Sequence, residues 1–474
     1  MSASLTSTQP FLPTPPSPRP MDDIWGWLIP LADSLPHLSL TQDEIRAGRD
    51  HDECQVVFAK PVFHNKGMGL SIEKVSRVHF IISRGLGRNC PSLTDTSMNG
   101  TWIDKMKIGK SNKATLSHGS IISVLNLEMA VFCYLDKVTM ERDFPSSLTS
   151  KYLVGKVLGE GTTSLVRLGY RISDFKKVAL KMINTKSWPN KYSAPMDMMA
   201  EVNVLTDIQH PCITVVEEVV NVQDEDLLVI VMEYAEGGEL FDQVVEDFQK
   251  NCMDERKAKF QFYQVVDAVK YLHSNQVCHR DLKLENLLLA KSKSFSLVKV
   301  SDFGLSKVLE DDLLQSYVGT PLYMAPEVLA MGQKLESRGY TNKADCWSLG
   351  VILYVLLSGK HPFSKGEEMV SQIMEGKVRS MSGVVWDKVT IPAKSLVRAL
   401  LVTDPEKRLS AEEILQHPWF SEDRNLCSLA MEVMAGGDVD SLENITVGNG
   451  GCGVSTVKKV KQVPLIDLTQ SSEE

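Results

Sequence analysis

Five short motifs stand in a fixed order between residues 152 and 420: a glycine-rich turn, LGEGTTSLVRLG, after strand-like text; VALK, ending on Lys181; HRDLKLEN; SDFG; and MAPE. The text around them begins with strand-like runs and ends with helical patterns, two of them long and apolar. This stretch is therefore a separate domain in which strands come first and helices follow. The glycine-rich turn exposes backbone N–H groups that could lie over phosphates, although Ser164 stands where a third glycine would complete G-x-G-x-x-G. Taken alone, the turn is equally readable as a plain β-hairpin. The order and spacing of the motifs that follow, with Glu201 in an amphipathic helix after Lys181, favour the phosphate reading.

Over residues 152–420 the sequence resembles a eukaryotic protein kinase, a bilobal α+β fold that uses ATP and Mg2+. Phosphoryl transfer needs little covalent work from the protein; it needs two oxygens in line and the phosphate charge neutralised. The resemblance implies that Lys181 holds the α- and β-phosphates and is fixed by an ion pair to Glu201. Asn286 and Asp302 would hold magnesium, Asp281 would orient the acceptor hydroxyl and take its proton, and Lys283 would offset charge on the transferred group. One such residue would be read as an ordinary surface charge; six at matching positions point to catalysis. Leu158, Gly159, Gly161, Val166 and Ala179 are expected around the nucleotide. Met232 is expected as gatekeeper, with Glu233 and Ala235 offering backbone groups to adenine. Leu284 replaces a common proline, which bears on loop stiffness more than on chemistry, and Ser164 bears on ATP affinity.

Glu239 matches a glutamate that, in basophilic kinases of this type, engages the ribose and an arginine three residues before the acceptor. An Arg-x-x-Ser/Thr preference is therefore expected, with Glu285 either a second acidic contact or a solvated carboxylate. Arg280 precedes the catalytic Asp and calls for a phosphate in the activation segment, for which Ser316 is preferred and Thr320 is the alternative. Glu327 and Arg408 are expected as a buried structural ion pair.

Residues 24–136 read as short β-rich runs broken by Gly, Asn, Asp and Ser, an all-β sandwich. RAGRD, SRVHF and DTSMNGTW occur there in order, and together they resemble a forkhead-associated (FHA) domain, which reads phosphothreonine peptides. By that resemblance Arg49, Ser76 and Arg77 hold the phosphate and Asn99 grips the peptide backbone, while Gly48, His79 and Gly100 support loop geometry. A lone His or an Asn-Gly turn would otherwise be ordinary structure.

An FHA domain before a kinase of this calcium/calmodulin-kinase-like type resembles the checkpoint kinase 2 family. In that family large damage-sensing kinases phosphorylate Thr-Gln or Ser-Gln sites in the N-terminal tail, which binds the FHA domain of another copy. The transient homodimer promotes activation-loop phosphorylation. Residues 1–22, rich in Ser, Thr and Pro, are expected to be a disordered regulatory tail, and Thr8 is its best Thr-Gln site. Thr41 falls inside the sandwich and Thr469 near the C-terminus, and the three pairs are a mild excess over composition.

Residues 137–151 are expected to be a linker and 421–474 a largely disordered tail, without a basic amphipathic helix that would bind calmodulin. In that tail Val463, Leu465, Ile466 and Leu468 precede acidic residues, the pattern of a strand that adds to the small ubiquitin-like modifier SUMO. The net charge of −9 argues against direct nucleic-acid binding, and the scattered cysteines and lack of a secretory or membrane-length apolar pattern point to a reduced intracellular protein with no membrane contact. The expectation is a nuclear serine/threonine kinase acting on substrates with a basic motif in the DNA-damage or meiotic checkpoint. A phosphothreonine-reading scaffold with an inert kinase fold, or a kinase restricted to meiosis, remains as an alternative.

Overall fold

The computed structural model describes residues 23–32, 35–59, 72–85, 90–161, 164–185, 206–222, 226–249, 254–293, 295–303, 321–331, 341–366 and 368–437. The chain divides into two compact units, one formed by residues up to 160 with 167–177, the other by 161–166 with residues from 178 on.

The first unit carries β1 (Gly26–Pro30), β2 (Leu38–Leu40), β3 (Glu44–Gly48), β4 (Val56–Val57), β5 (Phe80–Ser83), β6 (Ser92–Asp95), β7 (Thr101–Ile103), β8 (Met106–Lys107), β9 (Lys113–Thr115), β10 (Ile121–Val124) and β11 (Ala130–Asp136). They form two sheets, ordered β2-β1-β11-β10-β7-β8 and β4-β3-β5-β6-β9. Alternation explains the layering: in β5, Phe80 and Ile82 are buried while Ile81 and Ser83 are less so. Phe80 and Ile82 join Leu28, Ile45, Ile122 and Phe132 in one apolar core. This is the all-β sandwich expected from the sequence.

Residues 137–151, expected as a linker, are largely helical. They form the helices Lys137–Asp143 and Ser146–Thr149, with Asp136 capping the first through the Thr139 N–H. Met140 and Leu148 are buried, so the segment gains packing that a bare linker lacks. The strands Tyr152–Glu160 and Ser164–Arg171 follow, which we label β12 and β13.

In the second unit β14 (Lys177–Asn184) pairs with β16 (Leu227–Glu233), which pairs in turn with β15 (Val216–Val222), all antiparallel. Below them lies a helical core. Helix Glu255–Ser274 is capped by Asp254, and helix Asn342–Ser358 is buried along nearly its whole length and ends on Gly359 in the left-handed conformation. Two short strands, β17 (Leu287–Leu289) and β18 (Val298–Val300), pair on this lobe, with Asp281 in the loop before the first and Asp302 just after the second.

Residue 421 opens the segment expected to be a largely disordered tail, and its first residues are helical. Helix Arg424–Met434 starts on the Asp423 cap and buries Leu426, Ala430 and Val433, which recur on one face. It packs on helix Glu255–Ser274, and Asp423 Oδ2 lies 3.1 Å from Lys259 Nζ. Arg424 is its one basic residue. Among the described residues no helix is long and apolar enough to cross a membrane.

Candidate active site and phosphate-binding site

The loop before β17 is built on a buried carboxylate. Asp345, fully buried in helix Asn342–Ser358, accepts from the N–H groups of His279 (2.9 Å) and Arg280 (3.0 Å) and contacts His273 Nε2 at 2.8 Å. Burial pushes the Asp345 carboxyl up, but His273 and the loop N–H groups outweigh it and hold the carboxyl low. His279 is buried beneath the loop, with Nε2 2.9 Å from Ser301 O and with Nδ1 accepting from Asp281 N–H (3.3 Å). Burial keeps this imidazole neutral by lowering its pKa. Arg280, at φ 71°, and Asp302, at φ 62°, adopt left-handed backbone that non-glycine residues rarely take.

These constraints gather the charged residues. Lys283 Nζ donates to Asp281 Oδ2 (2.8 Å), and Asn286 Nδ2 donates to Asp281 O (2.7 Å) and Oδ2 (3.0 Å). Burial alone would lower the Lys283 pKa, but the Asp281 carboxylate reverses this and raises it. From β14, Lys181 Nζ reaches Asp302 Oδ1 at 2.7 Å. The structure thus brings together Lys181, Asp281, Lys283, Asn286 and Asp302. Glu201 lies outside the described residues, as do Thr8, Ser316, Thr320 and the Val463, Leu465, Ile466 and Leu468 cluster. With its amide nitrogen turned to Asp281, Asn286 has an oxygen left to offer, and it and the Asp302 carboxylate are hard oxygen donors of the kind magnesium takes.

The residues expected around the nucleotide fall on strands and their turn. Leu158 and Gly159 lie on β12, Val166 on β13 and Ala179 on β14, where Ala179 pairs with Met232. Gly161 N–H donates to Ser164 O (2.7 Å), closing the turn with serine in the third position. The Glu233 N–H donates to Val215 O, so any backbone contact from Glu233 to a base falls to its carbonyl. Its carboxylate is held by Lys299 Nζ (2.7 Å) and Val215 N–H (2.9 Å). Ala235 opens the turn that follows, where a Cβ on Gly237 would lie 2.5 Å from Lys291 O and Gly238 has φ +74°. Only two glycines fit there, which explains EGGEL and sets Glu239 bridging to Leu288 of β17. Desolvation, then the Asp242 and Glu285 carboxylates, push the Glu239 carboxyl up, and Lys283 opposes them. Glu285 Oε2 is buried with no hydrogen-bond partner among the described residues.

On the sandwich, a Cβ on Gly48 would lie 2.0 Å from Arg77 O, so the Arg49 and Arg77 backbones meet only because residue 48 is glycine. Arg49 N–H donates to Ser76 O and Asp50 N–H to Arg77 O, both at 3.1 Å. His79 is buried and neutral: burial lowers its pKa, Ser76 N–H donates to Nδ1 (3.2 Å), and Nε2 contacts Gly100 O (3.0 Å). It ties the Ser76 loop to the Asn99-Gly100 turn, where Gly100 has φ +104°. Ser76 Oγ accepts from Met98 N–H (3.1 Å), and Asn99 Nδ2 donates to Lys74 O (2.6 Å). Arg49, Ser76, Arg77 and Asn99 therefore sit on adjoining loops at one end of the sandwich, on a frame of Gly48, His79 and Gly100.

Asp345 and the Glu233–Lys299 pair received no role from the sequence. DCWSLG is a visible motif, but a buried Asp that organises a loop far away in sequence gives no local signal.

A phosphotransferase loop with its lysine-bearing strand, joined to an arginine-lined sandwich, defines a kinase-type catalytic domain with a phosphate-reading domain. A protein kinase domain profile matches residues 152–420 and an FHA domain profile matches residues 45–124. The chain belongs to the protein kinase family, in the branch that joins an FHA domain to a serine/threonine kinase domain, as the checkpoint kinase 2 family does. It is 36% identical over 409 residues to the Probable serine/threonine-protein kinase fhkC of Dictyostelium discoideum, covering 84% of this chain and 65% of that protein, just under two thirds of its length. It is 33% identical to the Ovarian-specific serine/threonine-protein kinase Lok of Drosophila melanogaster, covering 81% of this chain and 80% of Lok. It is 32% identical to the Serine/threonine-protein kinase cds1 of Schizosaccharomyces pombe, covering 79% of this chain and 81% of cds1.

Proposed function

We propose that the chain is an active serine/threonine kinase of the DNA-damage or meiotic checkpoint, transferring the ATP γ-phosphate to protein substrates with arginine three residues before the acceptor. The observation that carries the activity is the convergence of Lys181, Asp281, Lys283, Asn286 and Asp302 in one site. Asn286 and Asp302 would hold magnesium, which would supply charge neutralisation at the phosphates when bound. Lys181 holds the α- and β-phosphates. Asp281, oriented by Asn286, positions the acceptor hydroxyl and takes its proton, while Lys283 offsets charge on the transferred group. Leu158, Gly159, Gly161, Val166 and Ala179 enclose the nucleotide, and the Glu233 and Ala235 backbone meets adenine.

Regulation follows from the FHA domain. The FHA loops bind phosphothreonine through Arg49, Ser76, Arg77 and Asn99, and phosphorylated Thr8 of another copy is the proposed ligand. The resulting transient dimer leads to phosphorylation at Ser316 or Thr320, which pairs with Arg280. Action in the nucleus and SUMO binding through Val463, Leu465, Ile466 and Leu468 belong to the same proposal. The decisive experiment is phosphotransfer to an Arg-x-x-Ser peptide by the full chain, with Lys181→Arg as control: magnesium-dependent transfer lost in the variant is expected. Absence of transfer by the phosphorylated wild-type chain would leave the phosphate-reading scaffold.

A further inference from the structure

The two arginines offered to phosphate are in different states. Arg49 is exposed and, among the described residues, pairs with no carboxylate, whereas Arg77 holds two. Its Nε lies 2.7 Å from Asp50 Oδ2 and its Nη2 3.1 Å from Glu53 Oε1. The two partners are not equivalent. Asp50 Oδ1 accepts from the N–H groups of Asp52 (2.9 Å) and Glu53 (3.2 Å), so this carboxylate is fixed by its own turn, with its side chain 13% exposed. Glu53 is 46% exposed and makes its contact from a free side chain. Asp52 adds a third negative charge acting on Arg77.

From this asymmetry we propose that Glu53 is an intramolecular competitor for Arg77 and Asp50 its orienting partner, so that the Asp50–Glu53 turn sets how much negative charge a peptide must bring to be bound. The inference rests on the phosphothreonine-reading function proposed above. Arg77 faces three negative charges, Asp50, Asp52 and Glu53, so its own charge is already more than balanced. A peptide carboxylate gives Arg77 only what Glu53 gives it, and the exchange gains nothing. A phosphate carries about −1.5 to −2 charges at neutral pH and three acceptor oxygens, enough to displace Glu53 and engage Arg49 as well. Asp50 stays in place and keeps the guanidinium plane turned toward the incoming group. Glu53 thereby acts as a specificity residue against acidic, unphosphorylated peptides.

The test uses the full chain and fluorescence polarisation with a pool of peptides fixed only at a central phosphothreonine, a phosphorylated peptide spanning Thr8, and the same peptides with Glu in place of phosphothreonine. An exposed ion pair is weak, so Glu53→Gln is expected to tighten phosphopeptide binding about two- to fivefold. It should also narrow the preference for phosphothreonine over Glu, with the melting curve unchanged. Asp50→Asn, which keeps an oxygen for the turn, is expected to weaken binding several-fold. The inference is overturned if Glu53→Gln binds no tighter and discriminates as well as wild type while Arg49→Ala abolishes binding. If no pool member binds the wild type, or Arg49→Ala and Arg77→Ala change nothing, the phosphothreonine-reading function falls and takes this inference with it.

Discussion

Lys181 Nζ meets Asp302 Oδ1 at 2.7 Å, and with Lys181 only 7% exposed this pair joins strand β14 to the turn after β18 in a largely desolvated contact. Arginine keeps the charge but replaces a compact ammonium by a planar fork. Lys181→Arg is therefore expected to lower kcat by about a hundredfold or more, the scale of a lost electrostatic partner in a transition state. Steady-state phosphotransfer alongside a melting curve checks this. Wild-type turnover in the variant would remove Lys181 from the phosphate site.

Glu239 is held beside β17 by the two-glycine turn, with Asp242 and Glu285 close enough to raise its pKa. Clustered carboxylates relieved by an incoming cation suit an arginine of the substrate. With an Arg-x-x-Ser peptide, Glu239→Ala should lower kcat/KM at least about tenfold, the loss of one charge-assisted hydrogen bond. With alanine in place of that arginine, variant and wild type should differ little. Equal losses on both peptides would assign Glu239 to the nucleotide instead.

Arg408 is 1% exposed and forms a two-pronged ion pair with Glu327, at 2.7 and 2.9 Å, while also donating to the carbonyls of Val402 and Lys343. Its guanidinium carbon lies 5.2 Å from the centre of the Trp347 ring. Removing one partner strands a buried charge, so Arg408→Ala should destabilise the kinase lobe by about 3–5 kcal/mol. The double replacement Arg408→Met with Glu327→Leu should cost much less. Calorimetry resolves the two cases, and a small effect of the single variant would show the pair to be dispensable.

The residues legible in the sequence were those whose chemistry admits few substitutes. Lys181, Asp281, Asn286 and Asp302 each stand in a motif, and the EGGEL glycines are forced by the Lys291 carbonyl and a left-handed turn. Long-range supports were not legible. Asp345 is assigned only once its hydrogen bonds to the catalytic loop are seen, and the Glu53–Arg77 contact joins two loops through side chains alone. Helix Arg424–Met434 was read into the tail because glycine-rich text follows it directly, although Leu426, Ala430 and Val433 recur on one face.

That helix makes a clear prediction of its own. Its apolar face covers part of helix Glu255–Ser274, so ending the chain after residue 422 exposes both surfaces. The kinase-lobe transition should move down by several degrees, as expected for about 1–3 kcal/mol in a lobe of this size. A chain ending after residue 437 keeps the helix and should melt with the full protein. Identical melting of the two truncated chains would make the helix an ornament of the lobe.

His361 connects stability to pH. Its ring lies 5.1 Å from that of Tyr323, and burial, then the nearby Lys365 and Arg379 charges, push its pKa down to about 4. An unfolded chain holds histidine near its ordinary value of about 6.5, so as pH falls below that value the unfolded state takes the proton first. The stability contributed by the neutral ring is thus complete above about 6.5 and is lost as pH falls toward about 4, by a few kcal/mol at most. Carboxylates titrate over the lower part of the same window, so the comparison is between wild type and His361→Gln, which has no proton to gain. The variant should lose kinase-lobe stability less steeply from pH 6.5 to 4.5. Parallel curves would mean that His361 titrates alike in the folded and unfolded chain, and that its packing against Tyr323 leaves it open to water.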